Sequence, residues 1–228
     1  MAGAPLLQVE GLVKRYRRWR RGPGWPRAET TFELHADLCV SSPCVVGVMG
    51  ANGAGKTTLF ELVTGGNQPT AGRVLVAGQD IHRVRPQERT RLALHYHQSY
   101  QLRTFRRSRP AFLLEHARVA QPLVHLFDEP QFNTQDGYIG FMLDFFRRLR
   151  GEGKVVFLCL HPNEPAHLDI LEEACESFLF VQKDAARVSR LTRAGSLREL
   201  LAEPAVRSYL GALLEGCAGR APADAPGR

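Results

Sequence analysis

The sequence predicts an α/β protein built on a parallel sheet, and three observations carry that reading. A glycine-rich loop, Gly50-Ala51-Asn52-Gly53-Ala54-Gly55-Lys56-Thr57-Thr58, lies between an apolar run (Val45, Val46, Val48, Met49) and residues at helical spacing (Leu59, Phe60, Leu62, Val63). Two further runs, Leu123 to Phe127 and Val155 to Leu160, are nearly continuous in apolar residues, as strands buried on both faces are. Strand-like and helix-like segments alternate along the chain.

The loop fits G-x-x-x-x-G-K-[ST], the Walker A phosphate-binding pattern, in the strand–loop–helix context that the pattern requires. Glycines let backbone N–H groups turn inward around phosphate oxygens, and the helix N-terminus adds partial positive charge. Lys56 can reach β and γ phosphates, and Thr57 can offer its hydroxyl to Mg²⁺.

The remaining elements follow in order. Leu6 to Leu12 alternates loosely and predicts a strand. A basic loop is expected from Arg17 to about Glu29. Thr31 to Val40 predicts a second strand with Phe32, Leu34, Ala36 and Leu38 on one face. After the Walker A helix come a glycine-rich turn (Gly65 to Gly72), a short strand from Arg73 to Ala77 and a polar helix start from Arg85 to Arg91. Leu92 to His97 predicts a strand ending at Gln98, and Ala111 to Ala120 has helical spacing. Asp128-Glu129-Pro130 closes the Leu123–Phe127 strand. Gly140 to Leu149 predicts an amphipathic helix with Arg147, Arg148 and Arg150 near its C-terminal end, where the helix dipole favours cations. His161-Pro162 ends the next core strand. Leu168 to Cys175 predicts a helix, Phe178 to Val181 a strand, and Leu197 to Leu214 one or two helices. The Pro/Ala-rich stretch from Arg220 to Arg228 is expected to be disordered. His125, inside a core strand, reads as a structural histidine satisfied by a partner.

The 228 residues suit one or two domains. No apolar run approaches the roughly 18 residues of a membrane helix, and Glu10 interrupts any leader-like core near the N-terminus. Five cysteines form no C-x-x-C and read as buried reduced thiols. The net charge is +7, and much of it is concentrated. Lys14, Arg15, Arg17, Arg18, Arg20, Arg21 and Arg27 run without an intervening acid, with Trp19 and Trp25 among them. Such a run reads either as an anion-binding surface, for nucleic acid or lipid headgroups, or as a solvated loop, given Gly22-Pro23-Gly24 and Pro26.

Asp128-Glu129 after an apolar strand is a Walker B pattern. Its first carboxylate can hold Mg²⁺, and its second can take a proton from attacking water. With both motifs in place, the chain resembles the nucleotide-binding subunits of ABC transporters from about Leu6 to Gly211. The resemblance implies a P-loop NTPase core of ABC type with an N-terminal β subdomain, spanning residues 1–216 ahead of a disordered tail at 217–228.

Family roles then fall on single residues. Tyr16 matches the aromatic that stacks on adenine, although it also reads as a strand cap. Gly50, Asn52, Gly53, Ala54, Gly55, Lys56, Thr57 and Thr58 match the nucleotide cradle. Thr57, Gln98 and Asp128 match the Mg²⁺ contacts. Glu129 matches the catalytic base, His161 the histidine at the γ-phosphate, and Gln98 the glutamine that touches Mg²⁺ or water and senses the membrane partner. Gln98 also reads as an ordinary strand-end residue. Asp136 is a candidate for the aspartate of the loop that follows. Thr58-Leu59-Phe60, Thr64-Gly65, Pro69 to Val74, Gly78 to Ile81 and Val206 to Gly211 are similar to the branched-chain amino-acid and lipopolysaccharide-export branches.

One departure stands out. The family signature, Leu-Ser-Gly-Gly-Gln, is missing from the interval between Gln98 and Asp128. That interval is less than half the usual span, so residues 99–120 correspond to a reduced helical subdomain. The resemblance implies ATP and Mg²⁺ as cofactors, and ATPase activity in a composite site. It implies transmembrane permease subunits and a second ATP-binding subunit as partners, a heterodimer being favoured, at the cytoplasmic face of the membrane. Nucleic acid is not the partner expected of that role. The alternative is a nonhydrolytic ATP-binding regulatory module that contacts anionic lipid or nucleic acid through the basic loop.

Overall fold

The computed structural model describes residues 4–20, 27–96, 122–130, 138–211 and 213–214. Gln98, Asp136, Cys217, the 99–120 region and the tail lie outside the described residues.

A ten-stranded mixed sheet forms the frame. Its strands are β1 (Leu7–Arg20), β2 (Arg27–Val40), β3 (Cys44–Met49), β4 (Ala71–Val76), β5 (Gln79–Asp80), β6 (Ala93–Tyr96), β7 (Val124–Asp128), β8 (Val155–Cys159), β9 (Ser177–Lys183) and β10 (Val188–Ala194). The described helices are α1 (Lys56–Val63), α2 (Pro86–Leu92), α3 (Tyr138–Gly151), α4 (Pro165–Ala174), α5 (Leu197–Ala202) and α6 (Pro204–Leu210).

The spatial order is β5-β4-β1-β2-β10-β9-β3-β8-β7-β6. Strands β9, β3, β8, β7 and β6 are mutually parallel. Strands β1, β2, β4 and β5 form the antiparallel N-terminal part. β10 joins the two, running antiparallel to β9 and parallel to β2.

The apolar runs account for the layers. In β3, Val46 and Val48 face one core cluster with α1, while Val45 and Met49 face another with α3 and α4. In β8, Val155, Phe157 and Cys159 face the first cluster, and Val156 and Leu158 face the second. A strand clothed on both faces has no polar side, so its sequence reads as continuous rather than alternating.

The sequence did not predict β10. Its residues Val-Ser-Arg-Leu-Thr-Arg-Ala mix the exposed Arg190 and Arg193 with the buried Ser189 and Ala194, and it follows a turn in which Arg187 has φ 63°. The tertiary setting between β9 and β2 decides it, not local propensity.

The expected basic loop from Arg17 to Glu29 is corrected. Residues 17–20 continue β1, and 27–29 open β2, paired from Arg17↔Thr30 to Arg20↔Arg27. Charged residues that face solvent on both sides carry no hydrophobic period, yet the backbone ladder continues through them. The thiols also divide: Cys159 and Cys175 are buried, whereas Cys39 is exposed at its strand position.

His125 is a core residue, 1% exposed. Its ring stacks with Tyr96 and Phe127, and Nδ1 meets the Tyr96 hydroxyl at 3.1 Å. It is half-satisfied rather than satisfied, because Nε2 has no well-formed partner among the described residues. Burial pushes the ring down to about 4, with the Lys154 charge adding to the effect and the Pro122 carbonyl opposing it. The unfolded chain takes up a proton near 6.5 that the buried ring refuses until about 4. Stability is therefore lost as pH falls through that window and is fully present above it, with a slope of up to about 1.4 kcal/mol per pH unit. Denaturant titrations between those pH values should show His125→Leu losing less stability on acidification than wild type; equal losses would refute this account.

Candidate functional site

The site is built where β3, β7 and β8 end on the same side of the sheet. β3 and β7 both pair with β8 in parallel, so Met49 and Asp128 finish near one another. The chain leaving β3 turns through Gly50 (φ 151°), Gly53 (φ 72°) and Gly55 (φ 103°) before entering α1. Two of these glycines are fixed by close approach. A Cβ on Gly50 would lie 2.3 Å from the Val181 carbonyl oxygen, and one on Gly55 would lie 2.7 Å from the Phe32 ring. The Ala54 amide donates to the Ala51 carbonyl at 3.1 Å and closes the loop.

Lys56 is 6% exposed, and its ammonium donates to the Gly50 carbonyl at 2.7 Å and the Ala51 carbonyl at 3.1 Å. These bonds hold the buried cation at the mouth of the loop, with no ion pair among the described residues. Thr57 Oγ1 donates to Asp128 Oδ2 at 2.8 Å. The same oxygen lies 3.3 Å from His95 Nε2. Burial works to raise the Asp128 carboxyl, but hydrogen bonds from His95 and Thr57 outweigh it and hold the group below its usual range.

Glu129 follows in a left-handed conformation, φ 50°, unusual for a residue with a side chain. Its amide donates to the Cys159 carbonyl at 3.0 Å, which extends the β7–β8 ladder by one bond. The turn swings Glu129 into a cavity of about 270 Å³ lined by Tyr16, Phe32, Asn52, Gly53, Gly55, Lys56, Thr57, Thr58 and Glu129. Backbone strain of this kind concentrates at functional sites.

His161, two residues past β8, has its Nδ1 2.7 Å from the Tyr209 hydroxyl on α6. Burial raises that phenol to about 12, helped by Cys159 and Glu129 and opposed by the Gly50 amide. A phenol that stays protonated can donate to Nδ1, and in the tautomer where it does so the ring proton sits on Nε2.

The structure therefore brings together Tyr16, the Walker A residues, Asp128 and Glu129. His161 is linked to this group through Tyr209, which lies close to the Gly50 amide. Tyr16 is 37% exposed, its ring tilted 6.0 Å from Phe32, and its hydroxyl accepts from the Asn67 amide at 2.7 Å. Three residues at the site were missed in the sequence: Phe32, His95 and Tyr209. Phe32 was read only as core. His95 lies on the strand next to Walker B, a signal that register alone could have supplied.

These features define a class: the fold is the α/β P-loop fold of ABC ATP-binding domains. Residues 35–136 match the protein family described as ABC transporter, slightly under half of the chain. The methionine import ATP-binding protein MetN of Cupriavidus metallidurans is 36% identical over 80 residues, covering 33% of this chain and 20% of that protein. The cobalamin import ATP-binding protein BtuD of Halobacterium salinarum is 60% identical over 38 residues, covering 17% of this chain and 10% of that protein. The chain thus spans about a fifth or less of the length of these curated relatives.

A solved ATP-binding subunit of an ABC transporter superposes with a TM-score of 0.61 at 18% identity, over 92% of this chain and 99% of that one. A bacterial Atm1-family ABC exporter with ATP bound gives 0.61 at 18% identity, over 98% of this chain and 43% of that one. These two show the fold alone.

The donors present fit Mg-ATP. Gly53 and Gly55 line the cavity without side chains, Lys56 supplies a cation, and Thr57 with Asp128 forms an oxygen pair suited to Mg²⁺. Among the described residues no group of three or more His, Cys, Asp or Glu side chains could hold a metal by itself. Gly55→Ala should cost roughly 1–3 kcal/mol of stability, because it forces an alanine into a left-handed φ against Phe32. Thermal melts with and without ATP are the check: a variant that melts like wild type and is still stabilised by nucleotide would contradict the geometry.

Proposed function

We propose that this chain is the ATP-binding subunit of an ABC transporter, binding Mg-ATP and hydrolysing it in a composite site shared with a second ATP-binding subunit. The observation that carries the reading is the Thr57–Asp128 hydrogen bond, which joins Walker A to Walker B across the β3–β8–β7 sheet. An isolated glycine turn has no reason to aim a hydroxyl at a buried carboxylate.

The roles follow from position. Backbone amides of the loop and Lys56 bind the phosphates. Tyr16 and Phe32 form the aromatic wall for the base. Thr57 and Asp128, with Gln98, would hold Mg²⁺, which when bound neutralises charge on the β and γ phosphates. Glu129 orients the attacking water and takes its proton. His161 donates from Nε2 toward the γ-phosphate and is oriented by Tyr209. The closer similarity to the branched-chain amino-acid and lipopolysaccharide-export branches rests on the short motifs alone.

The missing Leu-Ser-Gly-Gly-Gln string supports a heterodimer with a signature-bearing subunit. Every catalytic position on this chain's own side is kept, so the composite site formed by its Walker motifs and the partner's signature is the active one. Permease subunits at the cytoplasmic face complete the transporter in this reading.

Steady-state Mg-ATP turnover decides it. The chain alone should bind ATP with turnover near background, and a signature-bearing partner should restore turnover. Glu129→Gln should then lower the restored rate by roughly 10²–10⁴-fold without loss of nucleotide binding. Clear turnover by the chain alone that Glu129→Gln abolishes would overturn the need for a partner. Tyr209→Phe should lower the restored rate about 10-fold or more, with ATP affinity unchanged, because it frees the His161 ring; an unaltered rate would remove Tyr209 from the mechanism.

A further inference from the structure

The β1–β2 hairpin outruns the sheet that carries it. β4 pairs with β1 only from Leu7 to Val13, and β10 pairs with β2 only at Glu33 and Leu34. Beyond Tyr16 and Phe32, from Arg17↔Thr30 to Arg20↔Arg27, the two strands pair only with each other among the described residues. That two-stranded ribbon extends for about 13 Å at a strand's usual rise. An isolated two-stranded ribbon is marginal in water.

The cations on it divide into two sets. Lys14 is committed to the Asn67 side chain and the Gln68 carbonyl, both at 2.7 Å. Arg15 is committed to Glu33 at 2.8 Å. Both lie where β1 still belongs to the sheet. Arg17 and Arg18, out on the ribbon, are exposed and have no hydrogen bond or ion pair among the described residues. Beside them Trp19 is 68% exposed, the most exposed large apolar side chain of the described residues.

From these observations we infer that the β1–β2 ribbon is a docking arm for an anionic phospholipid surface, with Arg17 and Arg18 on headgroup phosphates and Trp19 in the interfacial layer. Alternation along the strand puts Arg17 and Trp19 on one face and Arg18 on the other. Cations on both faces suit a ribbon that lipid headgroups surround. A nucleic-acid strand would engage a single face, whereas Arg17 and Arg18 occupy both. Tryptophan is the aromatic that membrane interfaces favour, and clustered arginines beside it draw anionic lipid. The inference stands whether or not the chain hydrolyses ATP.

The chain supplies its own probe, since its two tryptophans, Trp19 and Trp25, both fall in this hairpin sequence. In the full chain carrying Trp25→Phe, emission from Trp19 should shift to the blue on adding vesicles of equal parts phosphatidylglycerol and phosphatidylcholine. Pure phosphatidylcholine vesicles should leave it unchanged, and added salt should reverse the shift. Replacing Arg17 and Arg18 together by Ala should weaken vesicle binding roughly 30-fold while leaving ATP binding intact. Absence of a shift with the anionic vesicles would overturn the inference. So would tighter binding to single-stranded DNA than to those vesicles, dependent on the same two arginines. Loss of ATP binding in wild type would sink the proposed function and leave this test unaffected.

Discussion

The structure depends on one constraint: β3 and β7 are both paired in parallel with β8. That arrangement puts the end of the Walker A strand and the end of the Walker B strand at the same edge, and brings Thr57 Oγ1 to 2.8 Å from Asp128. Neither residue could be placed by its own neighbours in sequence, since 71 positions separate them. What fixes the distance is the hydrophobic dressing of β8 on both faces, which leaves it one position in the sheet. A slip of one residue in β7 would turn Asp128 to the opposite face and replace it with Phe127 or Glu129.

The buried charges at this edge show how the chain offsets their desolvation. Lys56 is held by two carbonyls of its own loop rather than by a carboxylate. Asp128 is held by a hydroxyl and an imidazole rather than by Lys56. Keeping Lys56 and Asp128 on separate partners avoids a closed buried pair between the two, which is costly to form and gains little stability. It also leaves each charge available to a ligand of opposite sign. Glu129 reaches the same cavity by a different means, through a left-handed backbone that the β7–β8 ladder enforces.

Much of this was legible in the sequence, for physical reasons. The Walker A loop announces itself because glycine adopts the positive φ values at Gly50, Gly53 and Gly55 without the steric cost that a side chain would add. The core strands announce themselves because double-sided burial excludes polar residues. What stayed hidden depends on contacts between distant elements. Phe32 belongs to a strand face that is core for most of its length and becomes the cavity wall only where Gly55 passes beneath it. Tyr209 meets His161 across 48 positions, through a helix whose own sequence carries no sign of the contact. β10 was hidden because its polar and apolar residues do not alternate, and the basic arm was read as loop because charge masks a strand whose ladder is made by backbone alone.

Tyr16 is where the nucleotide cavity and the basic ribbon meet. It lines the cavity, its hydroxyl is fixed by Asn67, and the Lys14 ammonium lies 5.1 Å from its ring centre. The β1–β2 register shifts immediately after it, between Tyr16 and Arg17. A register shift re-aims every side chain beyond it. Up to Tyr16 the strand serves the sheet and the cavity, and its cations are spent on Asn67, Gln68 and Glu33. Past the shift the same strand carries Arg17, Arg18 and Trp19 into solvent, with no sheet neighbour other than β2 among the described residues. A chain that needed only to close a hairpin could turn at Tyr16. This one continues its ladder outward and places arginine and tryptophan on it, past the last residues that the sheet and the cavity use.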